Sequence, residues 1–250
     1  MGDERQEVFS GGTGMRDAGE ADAGVRETTL GEQEPPAFNV ILASGSPRRK
    51  QLLEDAGVTF SVQVSEVDET LEPDLLADPP EAAKKLAERK AGAVVQEVLA
   101  DKNASGMMIV IGADTMVVKD GVIFGKPKSL SHAKHMLRTL SGTTHEVVTA
   151  VSVWMISADA ADDVSLGFRT FADTSRVTFR NLSDEQISDY LRCGESFDKA
   201  GAYAAQGEGA ALIKQVEGLL STVIGLPVER LLREFPDLAS ASSKDVSRKW

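Results

Sequence analysis

The sequence contains one cysteine and three histidines, and each shortage excludes a class of structure or site. Cys193 is the single cysteine in 250 residues, so an internal disulfide is excluded and a reducing, cytoplasmic location is expected. His132, His135 and His145 have no zinc-site spacing with that cysteine. No apolar run reaches the roughly 20 residues that cross a bilayer, and no apolar signal core follows the N-terminus, so no membrane partner is expected.

Familiar catalytic and nucleotide-binding motifs are also missing. The chain has neither a Walker lysine loop nor a G-x-G-x-x-G turn. It offers no convincing Ser/His/Asp arrangement and no evident covalent nucleophile. A phosphate ligand would therefore have to be held by cationic side chains rather than by one of the common glycine-rich loops.

Negative charge dominates the chain, which carries 39 acidic against 27 basic residues and a formal net charge of −12. Half of this excess belongs to residues 1–37, which hold nine acidic residues and three arginines. We predict a disordered acidic leader over 1–37, a folded domain over 38–237 and a flexible Ser-rich tail over 238–250. Because nucleic acids select basic surfaces, a nucleic-acid partner is not expected.

The folded part has the alternating texture of an α/β protein. The apolar run Val40–Ala43 predicts a buried strand, followed by a helix that begins after Ser46 and ends at Gly57. Val58–Val64 alternates like a strand, and residues 80–99 keep helical spacing. Met107–Ile111 predicts a second buried strand, interrupted by the Gly112–Thr115 segment.

The second half adds antiparallel strands. Asp120-Gly121 predicts a hairpin turn, and Ser131 is predicted to cap a helix that ends near Gly142. Residues 146–155 and 168–180 predict two long antiparallel strands, Ser183 opens a capping-box helix, and 216–224 carries a last strand. The sequence therefore predicts a mixed β-sheet flanked by helices.

The most informative stretch is Ser46-Pro47-Arg48-Arg49 at the start of the first helix. Arginines in a first turn face the positive end of the helix dipole, where carboxylates are normally favoured. With Ser44, Ser46 and the free backbone N–H groups, Arg48 and Arg49 would form a cradle for a polyphosphate. The alternative is a pair of solvated surface arginines.

Three further segments carry charge at places where chemistry is plausible. Asp114-Thr115 follows a buried strand and could hold a divalent cation or take a proton, although it could also cap a turn. Lys126 lies between a glycine and a proline, as an exposed turn lysine also could. The Gly-rich segment 198–209 contains Lys199 and Gln206, and the glutamine amide could read a base edge or simply be solvated.

An acidic group formed by Glu66, Asp68 and Glu69 follows the second strand. Solvation and helix capping would explain it, but beside Asp114 it would complete an oxygen-ligand site for Mg²⁺ or Mn²⁺. Cationic residues for phosphates and carboxylates for a hard metal together favour metal-assisted attack of water on a phosphoanhydride.

Seven blocks in order resemble the Maf family of nucleoside triphosphate pyrophosphatases, also called septum-formation inhibitors. They read LASGSPRR, GADT, GKP, HEVVT, DKAGAY, QG and GLP, beginning at residues 42, 112, 125, 145, 198, 206 and 225. The resemblance spans about residues 39–235. It implies an inosine-triphosphatase-like α/β fold, often dimeric, and divalent-metal-dependent cleavage between the α- and β-phosphates of a nucleoside triphosphate.

The resemblance also implies roles for individual residues. Asp114 matches the proton acceptor and metal partner, and the second acidic site residue falls at Asp68 or Glu69. The groups implied to hold the triphosphate are Ser44, Arg48, Arg49, Lys90 and Lys126. Arg48, Thr115 and Gln206 match the dTTP/UTP type rather than the type that acts on 7-methyl-GTP. The alternatives are a purine triphosphate pyrophosphatase and a cell-division regulator that binds nucleotide without turnover.

Overall fold

The computed structural model describes residues 38–64, 66–101, 104–158 and 164–240. The predicted acidic leader, residues 159–163 between the two long predicted strands, and most of the predicted Ser-rich tail lie outside the described residues. No helix in the described part is long and apolar enough to cross a membrane.

Within the described residues, seven strands form one mixed sheet in the order β2-β1-β3-β5-β6-β7, with β4 also paired to β3. The strands are β1 (Phe38–Leu42), β2 (Ser61–Val62), β3 (Gly106–Lys119), β4 (Val122–Phe124), β5 (Thr144–Ala158), β6 (Val164–Phe179) and β7 (Ile213–Glu217). β1 runs parallel to β2 and β3, and the β3–β4, β3–β5, β5–β6 and β6–β7 pairs are antiparallel. The predicted mixed-sheet α/β class is confirmed.

Helices cover both faces of this sheet. They are α1 (Pro47–Asp55), α2 (Pro73–Leu76), α3 (Pro79–Ala100), α4 (Leu130–Leu140), α5 (Asp184–Arg192), α6 (Leu220–Ile224), α7 (Val228–Glu234) and α8 (Asp237–Ser240), with 3-10 turns at Ala200–Ala202 and Gly207–Leu212. Alternate residues of β3 point to opposite faces. Val110 and Met116 pack with α3, whereas Ile111 packs with α1 and α7, and Val117 packs with α4 and α5.

One edge of β3 is only partly covered, and this places the site. β5 pairs along the other edge of β3 from Gly106 to Val118. On the first edge, β1 pairs with residues 107–111 and β4 with residues 117–119. Residues 112–116 therefore lie in a gap between the last residue of β1, Leu42, and the last residue of β4, Phe124, and the Asp114-Thr115 pair lies in that gap.

The predicted interruption of the second strand at Gly112 is wrong. β3 continues through the Gly112–Thr115 segment because β5 supplies a pairing partner along this whole length. The glycine instead allows a helix to approach the strand. A Cβ built on Gly112 would lie 2.6 Å from the carbonyl oxygen of Ala87 and 2.8 Å from the backbone nitrogen of Ala91, both in α3.

Three other boundaries differ from the prediction. Ser129, not Ser131, caps α4, since its Oγ accepts the N–H of His132 at 3.1 Å. The strand predicted over 58–64 shortens to β2. The segment predicted as a strand over 216–224 contains the end of β7 and the whole of α6, separated at Gly218, which has a φ of 109°.

The strongest local signals are confirmed. Asp120 and Gly121 both adopt positive φ, of 52° and 76°, and form the turn that joins β3 to β4. β5 and β6 pair along their whole lengths. Ser183 and Gln186 make the reciprocal hydrogen bonds of a capping box at the start of α5.

Candidate active site

The centre of the candidate site is an ion-pair triad built around a helix lysine. Nζ of Lys90, in α3, lies 2.6 Å from Oδ1 of Asp114 and 2.9 Å from Oε1 of Glu69. Lys90 comes from the turn of α3 that packs against Gly112, so the close approach of helix and strand sets this geometry. Two carboxylates thus share one ammonium group at the gap in the edge of β3.

Burial and charge act in opposite directions on the two carboxylates. Burial raises the pKa of Asp114, although the hydrogen bond and charge of Lys90 and the charge of Arg49 oppose this rise. Burial also acts to raise the pKa of Glu69, but the hydrogen bond and charge of Lys90, with Lys126 and Arg49, outweigh it and lower that pKa. Asp114 is therefore the better proton acceptor of the two, because a raised pKa makes a carboxylate more basic.

Arg49 is held from three sides in the neighbouring position. Its Nε donates to the carbonyl of Gly225 at 2.8 Å, Nη1 to Oγ of Ser44 at 3.1 Å and Nη2 to Oγ1 of Thr115 at 3.1 Å. Gly225 has a φ of 127°, which strongly favours glycine. The guanidinium is thus fixed beside Asp114 while two of its five N–H groups are not used by these contacts.

The start of α1 provides further hydrogen-bond donors. Ser46 is the N-cap residue by backbone conformation, but its side chain makes no capping hydrogen bond. The first turn contains no acidic residue. Arg48 is half-buried and pairs with Asp198 at 3.6 Å. The helix therefore presents uncapped N–H groups and basic side chains at its positive end, as an anion site requires.

Two other predicted residues, Lys126 and Lys199, lie outside the ion-pair triad. Lys126 is exposed, and its charge contributes to the lowered pKa of Glu69. The Lys126 loop is joined to the 3-10 turn at 200–202, since the N–H of Gly201 donates to the carbonyl of Gly125 at 3.1 Å. Lys199 is largely buried, with Nζ bonded at 2.5 Å to the carbonyl of Glu195 and at 2.6 Å to Asp198.

Gln206 is exposed, at the N-cap of the second 3-10 turn. Among the residues that the structure describes, its side-chain amide has no hydrogen-bond partner. The amide is therefore free to bond a ligand or water, and its base-reading role stays a prediction. The structure does not bring Gln206 into contact with the triad.

The structure separates the two acidic residues between which the sequence left the choice open. Glu69 joins the triad, whereas Oδ1 of Asp68 accepts the N–H of Thr70 at 2.8 Å. Asp68 lines a neighbouring cleft of about 570 Å³ together with Arg89 and Trp154. Side-chain direction in this loop depends on packing against α3, which the local sequence does not encode.

The metal predicted for this site has a partial donor set. No group of three His, Cys, Asp or Glu side chains in the described ranges is placed to hold an ion unaided. Asp114 and Glu69 do provide two neighbouring carboxylates. Magnesium is commonly held by one or two carboxylates together with substrate phosphates and water, so the residues present fit such an ion.

Comparison with known proteins identifies the family. A family model described as "Maf-like protein" matches residues 39–238. The chain belongs to the Maf family. This Maf-family chain is 42% identical over 197 residues to a dTTP/UTP pyrophosphatase of Lachnoclostridium phytofermentans, covering 79% of this chain and 93% of that one. It is 44% identical over 196 residues to a dTTP/UTP pyrophosphatase of Bacillus cereus, covering 78% and 88%.

Solved structures that resemble this Maf-family chain are more distant. The Ham1 protein of Staphylococcus aureus aligns with a TM-score of 0.37 and 14% identity, covering 80% of this chain and 98% of that one. A HAM1 protein of Coxiella burnetii aligns with a TM-score of 0.39 and 12% identity, covering 80% and 99%. With TM-scores below 0.5, these likenesses contribute nothing to the assignment.

Sequence reasoning missed two contributors to the site. The carbonyl of Gly225 fixes Arg49, and Thr149 accepts a contact from Thr115 at 3.0 Å. Both residues belong to blocks that carry the family resemblance, HEVVT and GLP, but neither block contains an obvious reactive group. Their positions next to Arg49 and Thr115 depend on strand register and on the turn before α7.

Proposed function

We propose that this chain hydrolyses nucleoside triphosphates to nucleoside monophosphate and pyrophosphate, with dTTP and UTP as preferred substrates. The observation that carries the proposal is the buried Asp114 carboxylate beside the fixed guanidinium of Arg49 and the ammonium of Lys90. Relatives that are 42–44% identical and carry the name dTTP/UTP pyrophosphatase support the substrate class.

In the proposed reaction, the cationic residues bind the triphosphate and Asp114 accepts a proton. Arg48, Arg49 and Lys126 bind phosphate oxygens, together with Ser44 and the N–H groups at the start of α1. Asp114 takes a proton from the water that attacks the α-phosphorus. The bond between that phosphorus and the bridging oxygen breaks, and the oxygen leaves with pyrophosphate.

A divalent cation is part of the proposal. Asp114 and Glu69 would hold the cation. When bound, the cation would neutralise phosphate charge and stabilise the negative charge on the departing pyrophosphate. Lys90 supplies the same kind of charge from the protein itself. Because its ammonium already bridges the two carboxylates, it keeps them close together before any ion binds.

Base preference is proposed to lie in the segment after Lys199. Gln206 can donate and accept, as recognition of a pyrimidine edge requires. The cytoplasmic location and the homodimer expected from the sequence stay predictions, and so do a role in cell division and the removal of modified nucleotides.

The proposal is tested by measuring pyrophosphate release from a panel of pyrimidine and purine nucleoside triphosphates, including 7-methyl-GTP. Magnesium, manganese and EDTA are compared. We expect metal-dependent release that is fastest with dTTP and UTP. A purine preference would overturn the substrate assignment, and binding of triphosphate without any release would overturn the enzymatic function in favour of a nucleotide-binding regulator.

A further inference from the structure

A row of hydroxyl groups runs inward from Arg49 beneath the site. Thr115 of β3 lies directly opposite Thr149 of β5, and Thr149 lies opposite Asp173 of β6. The Oγ1 atoms of Thr115 and Thr149 are 3.0 Å apart, and Oγ1 of Thr149 donates to the carbonyl of Thr222 at 2.7 Å. Thr149 and Thr222 are fully buried, so solvent does not compete for these contacts.

The partners fix the direction of every hydrogen bond in this row. A threonine hydroxyl has one proton, a carbonyl only accepts and a guanidinium only donates. The proton of Thr149 is committed to the carbonyl of Thr222, so the proton between the two hydroxyls must come from Thr115. Thr115 therefore donates inward to Thr149 and accepts the Nη2–H of Arg49.

This direction has a consequence for Thr115. While the row is intact, the Thr115 proton points into the protein and is not available to a ligand. Its oxygen is presented to Arg49 as an acceptor, which helps orient the guanidinium together with the carbonyl of Gly225.

The inner end of the row is anchored as well. Oγ1 of Thr222 donates to Oδ2 of Asp173 at 2.5 Å, and the other oxygen of Asp173 lies 3.5 Å from Nη1 of Arg230. Arg230 also packs over the ring of Phe171, 4.6 Å from its centroid. The carbonyl that receives the Thr149 proton is therefore held in place by contacts on α6, α7 and β6.

We propose that Thr149 is a positioning residue whose buried hydroxyl orients Thr115 and thereby fixes Arg49 for polyphosphate binding. Its hydroxyl contacts Thr115 and the carbonyl of Thr222, and it acts on Arg49 through Thr115. The proposal rests on the function proposed above insofar as the ligand is a polyphosphate. It predicts a specific energetic coupling between Thr149 and Arg49.

The test is a double-mutant cycle on binding, which does not depend on turnover. Calorimetry measures the affinity for inorganic tripolyphosphate of the full chain and of Thr149→Val, Arg49→Met and the double variant. Because one hydrogen bond to a charged group is at stake, we expect Thr149→Val to weaken binding about tenfold. In the Arg49→Met background the same substitution should change affinity less than about twofold.

A matched variant separates positioning from a merely structural role. Thr149→Ser keeps the hydroxyl and should restore at least half of the affinity lost in Thr149→Val, with circular dichroism confirming a folded chain. An equal loss in both Arg49 backgrounds, or no rescue by serine, would overturn the proposal. Tripolyphosphate binding with the expected coupling but no pyrophosphate release from any nucleotide would overturn the proposed function and leave the role of Thr149 supported.

Discussion

Lys90 and Asp114 form a part-buried ion pair of 2.6 Å between the middle of a 22-residue helix and the middle of a 14-residue strand. The pair lies where the edge of β3 is left open between β1 and β4. A packed interior would normally fill such a gap with apolar side chains, because a buried ion pair rarely stabilises a fold more than they would. The pair is better explained by function than by stability.

The first prediction concerns the proton acceptor. Asp114→Asn keeps the shape of the side chain but removes its basicity, so pyrophosphate release from dTTP should fall about 10²- to 10⁴-fold. Asp120→Asn, in the exposed turn of the same hairpin, is the control and should stay within twofold of the wild type. Asp120 has a positive φ of 52°, a conformation that asparagine tolerates well. Full activity in the Asp114 variant would exclude its role.

A second prediction separates two adjacent carboxylates. Glu69→Gln removes a carboxylate from the triad, and it should lower pyrophosphate release at least tenfold and raise the Mg²⁺ concentration that gives half-maximal rate. Asp68→Asn changes a side chain that bonds Thr70 of its own loop rather than the triad, and both quantities should stay near wild type. Titration of the rate with magnesium measures the effect. The reverse order of effects would place the second acidic site residue at Asp68.

The Lys90 ammonium should control the ionisation of Asp114, which is the third prediction. Burial raises the pKa of Asp114, and Lys90 is the largest opposing influence. Lys90→Met should therefore raise that pKa further, so that the carboxylate stays protonated to higher pH. The test is ¹³C NMR of labelled aspartate carboxyls in EDTA.

Lys85→Met provides the control on the same helix. Lys85 is exposed and lines the neighbouring cleft, not the triad. Its removal should leave the titration of Asp114 where it was. An unshifted titration in the Lys90 variant would mean that this ion pair does not govern the carboxylate.

The fourth prediction concerns a buried histidine outside the triad. Nε2 of His145 lies 2.8 Å from the hydroxyl of Tyr203, while its Nδ1 is buried without a partner among the described residues. Burial, with the charge of Lys119, lowers the pKa of His145 to about 4. The unfolded chain, in which a histidine titrates near about 6.5, then binds a proton that the folded chain refuses.

The free energy of unfolding should therefore fall as the pH drops from about 6.5 toward 4. His145 should account for up to about 3 kcal/mol of this loss. His145→Gln should show a shallower dependence over that window, and the exposed His135→Gln should keep the wild-type slope. Urea unfolding at several pH values measures this pH dependence of the free energy of unfolding. Equal slopes for all three proteins would show that His145 titrates normally.

The sequence was sufficient for the class of fold, and its local signals pointed to several residues that the structure brings together at the candidate site, Arg49 and Asp114 among them. An arginine pair in a first helical turn, and an acidic residue beside a buried strand, are unusual enough to be recognised without a structure. Features that depend on strand register could not be predicted from the sequence. Thr149 is an ordinary strand residue by composition, and its contact with Thr115 exists only because β3 and β5 pair as they do.

Gly112 shows how one local signal can mislead. In the sequence it indicates the end of a strand, since glycine weakens strand interiors. In the structure it stays in the strand and lets the backbone of α3 come close enough to place Lys90 on Asp114. The same residue type serves turns and close contacts, and only the packed helix distinguishes the two uses.

This close contact gives the last prediction. In Gly112→Ala the new methyl would meet α3 backbone atoms at 2.6 and 2.8 Å, which forces the helix away from the strand. The variant should lose about 1–3 kcal/mol of unfolding free energy. Because the displaced helix carries Lys90, pyrophosphate release should fall by more than tenfold even at temperatures where the variant is fully folded.

Gly167→Ala is the matched strand control, since a Cβ there meets nothing within 4 Å. Chemical denaturation and rate measurements on both variants decide the matter: a Gly112 variant as stable and active as the Gly167 variant would show that helix packing at this glycine does not set the geometry of the site.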